Sequence, residues 1–247
     1  MEKVIAALWA PEDQNHAEYG THVLANLPSA LAGAGAQNIR LNLCDAAVAA
    51  GDALVQRWQA PQQAAIAQFW MPSANARFRG AVDSALAAHS ARFAAWLVCE
   101  STIIANTDHA PAPNAVSQGK PSASPAASRT WGWSQASFIS FRADMTRAEA
   151  IAHWHSHHTR VAIETQSNFE YVQNLIVRPL TENAPAYDAF VEECFPLEAL
   201  TQPEVFFDAA GQPEKFAANT AAMMESCNGF IDFTRIDIIP TSQFDFA

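Results

Sequence analysis

Short apolar runs alternate along this chain with longer amphipathic stretches, and the second half shows the alternation most clearly. Ala136 to Arg142 (ASFISFR) is a brief apolar run of strand length. Thr146 stands three residues before Glu149, the spacing of a capping box, so a helix should start there and run to about Glu164. Phe169 to Val177 (FEYVQNLIV) and Tyr187 to Phe195 (YDAFVEECF) are rich in β-branched and aromatic residues and predict strands. Leu197 to Cys227 has helical composition, broken into pieces by Pro203 and Gly211-Gln212-Pro213. Phe230 to Ile239 (FIDFTRIDII) predicts a closing strand.

The order is β-α-β-β-α-β, the split βαβ of ferredoxin-like domains. The first half repeats it more faintly. Val4 to Trp9, Asn38 to Cys44, Ala64 to Trp70 and Ala95 to Ile104 read as strands. Asn15 to Ala32, disturbed by Gly20 and Pro28, and Phe78 to Ala94 read as helices. Two local matches support duplication: Ala36-Gln37-Asn38-Ile39 against Val172-Gln173-Asn174-Leu175, and Gln68-Phe69-Trp70 against Glu193-Cys194-Phe195. Between the halves, Asn106 to Thr130 is rich in Pro, Ser and Ala with almost no large apolar residue, the composition of a linker. The expected division is therefore a degenerate half over 1–107, a linker over 108–130, and a second half over 131–247. The fold class is α+β, with two ferredoxin-like halves in one chain.

Composition narrows the function classes. Half of the 247 residues are hydrophobic, which supplies a full core. The net charge of −11 argues against nucleic acid, because binding phosphate needs clustered Lys and Arg. Met1 to Trp9 has neither a basic leader nor an apolar run long enough for a signal peptide. Nowhere does an apolar run approach the ~20 residues of a membrane span. Cys44, Cys99, Cys194 and Cys227 are widely spaced without a CxxC pair, which suggests four buried reduced thiols in a cytoplasmic protein.

Candidate chemistry concentrates on the helix from Thr146. Residues four apart share a face, so Trp154 stacks over His158 and His153 over His157. Ile151, Trp154, His158, Val161 and Ala162 form one largely apolar stripe, which should face the sheet. His158 would then be an imidazole between helix and sheet, able to exchange protons near neutral pH; the alternative is a core histidine bonded to backbone. His153, His155 and His157 resemble metal ligands, but no carboxylate sits at metalloprotease spacing, and a solvated polar face is expected instead.

On the next strand Phe169, Tyr171, Gln173 and Leu175 share one face, and Val172, Asn174 and Ile176 the other. Tyr171 and Asn174 therefore cannot both enter one pocket without a bulge. Glu192 shares a face with Phe190 and Cys194 and must find a partner if buried, either orienting His158 or forming a salt bridge to Arg178 or Arg235. Trp131, Trp133, Phe138, Phe195, Phe206 and Phe207 supply aromatic surface for a flat ring or simply for core. No phosphate loop or nucleophile elbow occurs.

A wider pattern joins these residues. A strand over Phe138 to Arg142, a helix with Trp154 and His158, the run Tyr171-Val172-Gln173-Asn174, and a strand with Tyr187-Asp188, Glu192 and Phe195 occur in that order. In this the second half resembles EthD-type domains. The resemblance implies a dimeric α+β barrel, two four-stranded sheets face to face. A tandem chain can supply both sheets, as a pseudo-dimer, and further pairing into a homodimer stays open. Enzymes with this architecture include cyclases, isomerases, decarboxylases and cofactor-free or haem monooxygenases, so the fold does not choose the reaction.

The expectation is a cofactor-independent lyase or isomerase, in its concrete form a decarboxylase, acting on a small aromatic or polyketide-like acid. His158 and Glu192 are the candidate catalytic pair. Trp154, Tyr171, Asn174, Phe138 and Phe195 are the candidate substrate contacts, and no metal is assigned. A cofactor-free or haem-dependent oxygenase and a non-enzymatic ligand-binding protein are the alternatives. One pocket per chain is expected, since His22 aligns with His158 only through a gap.

Overall fold

The computed structural model describes residues 1–107 and 127–246. The first part runs β1 (Glu2–Trp9), α1 (His16–Gly33), β2 (Gln37–Leu43), a 3-10 segment over Ala46–Leu54, β3 (Ala65–Met71), α2 (Ala76–Ala88) and β4 (Arg92–Ile104). The second runs β5 (Ala127–Arg129), β6 (Trp133–Ile139), α3 (Arg147–His153), α4 (Thr159–Thr165), β7 (Glu170–Pro179), β8 (Ala189–Phe195), α5 (Pro203–Phe206), α6 (Pro213–Asn228) and β9 (Asp237–Phe246). The strands lie in the order β2-β3-β1-β4-β7-β8-β6-β9, and β2 pairs with β9. The protein is thus an α+β molecule built on a closed eight-stranded antiparallel barrel, with β5 added along β9.

Strand alternation sorts the side chains into two layers. On β1, Val4, Ala6 and Leu8 face outward and pack with Tyr19, Val23 and Leu27 of α1 and Val82 of α2. Ile5, Ala7 and Trp9 face inward and meet Trp96, Phe138, Tyr187 and Phe190 inside the barrel. Each inward phenylalanine contributes about 1.5–3 kcal/mol relative to exposure. Outside the second sheet a further core joins Trp154, Val161 and Ala162 to Tyr171, Val191, Met223 and Phe230.

Several expectations change. The final strand is Asp237–Phe246, not Phe230 to Ile239. The Asp232 carboxylate accepts from the Thr234 backbone N–H at 3.0 Å and from its hydroxyl at 2.6 Å, and that local turn outcompetes strand pairing. The helix expected over Phe78 to Ala94 stops at Ala88, and the strand already begins at Arg92. The expected linker 108–130 falls outside the described residues as far as 126, but its last part, Ala127–Arg129, is strand β5. The four thiols are free, as single cysteines would be, yet they are not uniformly buried. Cys194 is buried, Cys44 and Cys227 are half-buried, and Cys99 is exposed. Among the described residues no helix is long and apolar enough to cross a membrane.

Gly132, between β5 and β6, has φ of +78°, and a Cβ there would lie 2.1 Å from the Phe195 carbonyl oxygen. Neither the left-handed backbone nor the backbone neighbour can yield cheaply. Gly132→Ala should cost on the order of 3 kcal/mol, read as a lowered midpoint in urea unfolding.

Candidate active site

The helix that carries His158 is anchored at its start. Thr146 and Glu149 form the expected capping box, with Thr146 N–H donating to Glu149 Oε2 at 2.8 Å and Glu149 N–H to Thr146 Oγ1 at 3.2 Å. The continuous α-helix expected as far as Glu164 is interrupted, because Trp154–His158 forms a π turn between α3 and α4. The Thr159 N–H reaches back five residues to the Trp154 carbonyl, and the Thr159 hydroxyl donates to the same oxygen at 2.9 Å. Such single π turns recur at functional sites.

With the turn widened, His153 and His158, five residues apart, converge on Ser226 of α6. His153 Nε2 lies 3.0 Å from the Ser226 carbonyl oxygen and must donate to it. His158 Nδ1 lies 3.0 Å from the Ser226 hydroxyl. Assigning the proton to His158 Nδ1 leaves Nε2 with its lone pair. Gly229 makes room for this arrangement, since a Cβ there would sit 2.6 Å from the His153 ring. Phe230 fills the centre, with its ring centroid 4.9 Å from that of His158 and 5.5 Å from that of His153. Burial, followed by the neighbouring His153 and His157, pushes the His158 pKa down to about 4, so the ring is neutral at pH 7.

His158 lines a cavity of about 180 Å³ between the helices and the outer face of the second sheet. Trp154, Phe206, Phe207 and Phe230 form aromatic walls, and among the described residues no lysine or arginine contributes to the lining. A second titratable group, Glu193 of β8, faces the same space. Burial pushes its carboxyl up to about 7, even though Asn168 Nδ2 donates to its Oε1 at 2.8 Å. Two further polar atoms of lining residues, the Ser137 hydroxyl and the Gln166 side-chain oxygen, are buried without a hydrogen-bond partner. They are available to a bound molecule.

The other candidates distribute over two faces. Trp154 lines the cavity. Tyr171 stands behind it, its hydroxyl receiving Gln173 Nε2–H at 2.8 Å and Trp154 Nε1–H at 3.4 Å. Phe195 supports the wall, stacked on Phe206 at 4.4 Å. Phe138 and Asn174 lie instead on the barrel's inward face: Phe138 packs with Trp96, and Asn174 is paired across the ladders with Phe190 and Glu100.

Glu192 is also inside, so the expected pairing with His158 does not occur. Consecutive residues of a strand point to opposite faces, and it is Glu193, not Glu192, that shares the face of His158. Nor do Arg178 or Arg235 hold Glu192. Its partners are Arg40 at 3.0 Å, Asn42 at 2.5 Å, Gln68 and Gln243 at 2.9 Å, and the Ser134 hydroxyl at 3.1 Å. In the first half, His22 is exposed and meets His89 at 3.2 Å.

Sequence reasoning missed Glu193, Ser137, Gln166 and Ser226. Alternation along Tyr187 to Phe195 did separate Glu192 from Glu193, but nothing local to the strand says which face meets the helices.

Residues 142–234 match the family model described as the EthD domain. No curated protein matches the chain. Among solved structures, an anthrone oxidase-like protein superposes with a TM-score of 0.53 at 6% identity, covering 100% of this chain and 91% of that one. A protein from Lactobacillus acidophilus NCFM, provisionally named a monooxygenase, gives a TM-score of 0.45 at 10% identity, over 99% and 95% of the two chains. At such identities the first likeness establishes a shared fold alone, and the second adds nothing to it. The match takes in α3, α4, β7 and β8, so that in this stretch the carboxy-terminal half of the chain is similar to an EthD domain.

Proposed function

We propose that this protein is an enzyme that moves protons on a small, flat, aromatic or polyketide-like molecule held in the His158 cavity, as a cofactor-independent lyase or isomerase. One observation carries the reading: a neutral imidazole and a carboxyl group pushed up to about 7 line one apolar cavity. The base is unprotonated and the acid can be protonated at the same pH, the division of labour that acid–base catalysis needs. The cavity volume of about 180 Å³ suits a single-ring compound, and a phenolic O–H could donate to the unpartnered Gln166 oxygen.

In the decarboxylase form, His158 Nε2 accepts the proton of the substrate's carboxyl group. The bond from ring carbon to carboxylate breaks, carbon dioxide leaves, and the electron pair stays on the ring carbon. The Glu193 carboxyl gives that carbon its proton, and transfer from His158 to Glu193 restores the starting state. Among the described residues the walls set no lysine or arginine against the substrate carboxylate, and the apolar surroundings favour its loss. The same pair would serve an isomerase, His158 removing a proton from carbon and Glu193 returning one elsewhere.

The barrel closing within one chain supports reading the two halves, each ordered 2-3-1-4 in the sheet, as a fused ferredoxin-like pseudo-dimer. The divisions 1–107 and 131–247 fit that reading.

The rate should therefore follow two groups. With neutral His158 and protonated Glu193 required, kcat/KM should rise through about pH 4 and fall as pH rises through about 7. In Glu193→Gln the amide oxygen can keep the bond from Asn168, but the group cannot give up a proton, and the variant should lose the alkaline limb together with about 10²-fold in rate. An unchanged limb in that variant would remove Glu193 from the chemistry.

A second reading, cofactor-free oxygenation, gains from the structural neighbour named anthrone oxidase-like. His158 would deprotonate an acidic C–H, and oxygen would then react with the carbanion. Oxygen uptake during turnover separates it from the first reading, and ligand binding without turnover of any aromatic acid would leave a non-enzymatic role.

A further inference from the structure

The inside of the barrel changes character along its axis. Trp9, Trp96, Phe138 and Tyr187 fill one end. At the other end the inward residues are polar, and a cavity of about 440 Å³ opens there, on the face of the sheet opposite His158. Its two cationic groups are already engaged. Lys3 Nζ lies 2.5 Å from Glu100 Oε2. The Arg40 guanidinium donates to both oxygens of Asp245 at 2.7 and 3.1 Å, to Glu170 Oε1 at 2.5 Å and to Glu192 Oε2 at 3.0 Å. Among the described residues, three lining carboxyl groups, with Glu192 behind them, therefore face two cations.

Two acceptors remain over. Glu170 Oε2 and Gln68 Oε1 have no hydrogen-bond partner, although their residues are 3% and 1% exposed and line the cavity. The Gln68 amide cannot be turned to relieve this, because its Nε2 donates to Glu192 Oε2 and to Asn42 Oδ1, both at 2.9 Å. Reversal would set oxygen against oxygen. Burial pushes the Glu170 carboxyl up, and a cation bound beside it would favour the ionised form in place of the proton. The indole of Trp70 adds an aromatic face to the same lining.

We infer that the open end of the barrel is a second ligand site, separate from the His158 cavity, and that it takes a small protonated amine whose N–H groups reach Glu170 Oε2 and Gln68 Oε1 while its carbon part lies on Trp70. An anion is opposed by the excess of carboxylates. A cation without N–H would leave both acceptors orphaned, and a neutral alcohol would leave the charge unbalanced.

Calorimetric titration of the whole protein at low salt and pH 7 tests this, with benzylamine as the probe and tetramethylammonium and benzyl alcohol as comparisons. Benzylamine should bind with Kd of about 1 mM or tighter, and the comparisons at least about tenfold more weakly. Glu170→Gln and, at the rim, Trp70→Leu should each weaken benzylamine by about tenfold, while His158→Ala leaves it unchanged. Should Glu170→Gln fail to fold, Trp70→Leu decides alone. No binding of benzylamine, equal binding of either comparison, binding that survives in the folded variants, or loss on His158→Ala would each overturn the assignment.

Discussion

Replacing His158 with alanine is expected to lower turnover of an aromatic acid by about 10²- to 10⁴-fold, the range spanned by a lost general acid–base group. The chain should remain folded. His158 contributes one hydrogen bond, to the Ser226 hydroxyl, and one ring contact, to Phe230. A glutamine variant sharpens the result, because its amide can bond Ser226 yet cannot take up a proton. If the imidazole is the base, His158→Gln is as inactive as His158→Ala, and both melt close to the parent. If the ring merely holds the π turn in place, glutamine restores most of the rate. Steady-state kinetics with thermal melts on the three proteins decide between them, and full activity in His158→Ala ends the proposal.

The largest loss of stability is expected at Arg40, which is remote from that cavity. Its guanidinium holds Glu192, fully buried, and Glu170 on one side and Asp245 on the other. Arg40→Met keeps a chain of similar length but strands two buried carboxyl groups without a cation, which should cost about 3–5 kcal/mol in urea unfolding at neutral pH. The sign with pH follows from Glu192. Burial alone would raise its pKa, but Arg40 and the side chains of Asn42, Gln243 and Gln68 outweigh burial and hold it well below the usual carboxylate range. A depressed folded pKa contributes stability above the unfolded value, and this is lost as pH falls from about 5 towards 2. The variant has no such contribution to lose, so the gap between the two proteins should narrow in acid. A gap that stays constant from pH 7 to about pH 3 would show that Arg40 does not control these carboxylates.

Much of this architecture could be read from the chain because the elements carry strong local signals. The Thr146 to Glu149 cap, the apolar stripe through Trp154 and Val161, and the β-rich runs around Tyr171 and Val191 each formed where expected. Local signals stop at the faces of the strands. Alternation separates Glu192 from Glu193, yet which of them meets the helices depends on how two sheets close on each other, and that is long-range information. Arg40 could not be foreseen as the partner of Glu192 either, because 152 residues separate them. The π turn was hidden for another reason. Its i to i+5 bonds leave no signature in hydrophobic spacing, and the clue is the cluster of side chains that the widened turn brings to Ser226.

The course of β9 bears on how the molecule assembles. Residues 237–241 lie against β6, and residues 242–246 zip onto β2, whose partner positions are 39–43. One strand thus acts as a clasp joining the first half to the second across about 200 intervening positions. Until it arrives, β2 is a bare edge with its N–H and C=O groups open to any other chain. Closing the ring is then the step with the largest entropic cost in assembly, and it falls among the slow, nonlocal events of β-rich proteins.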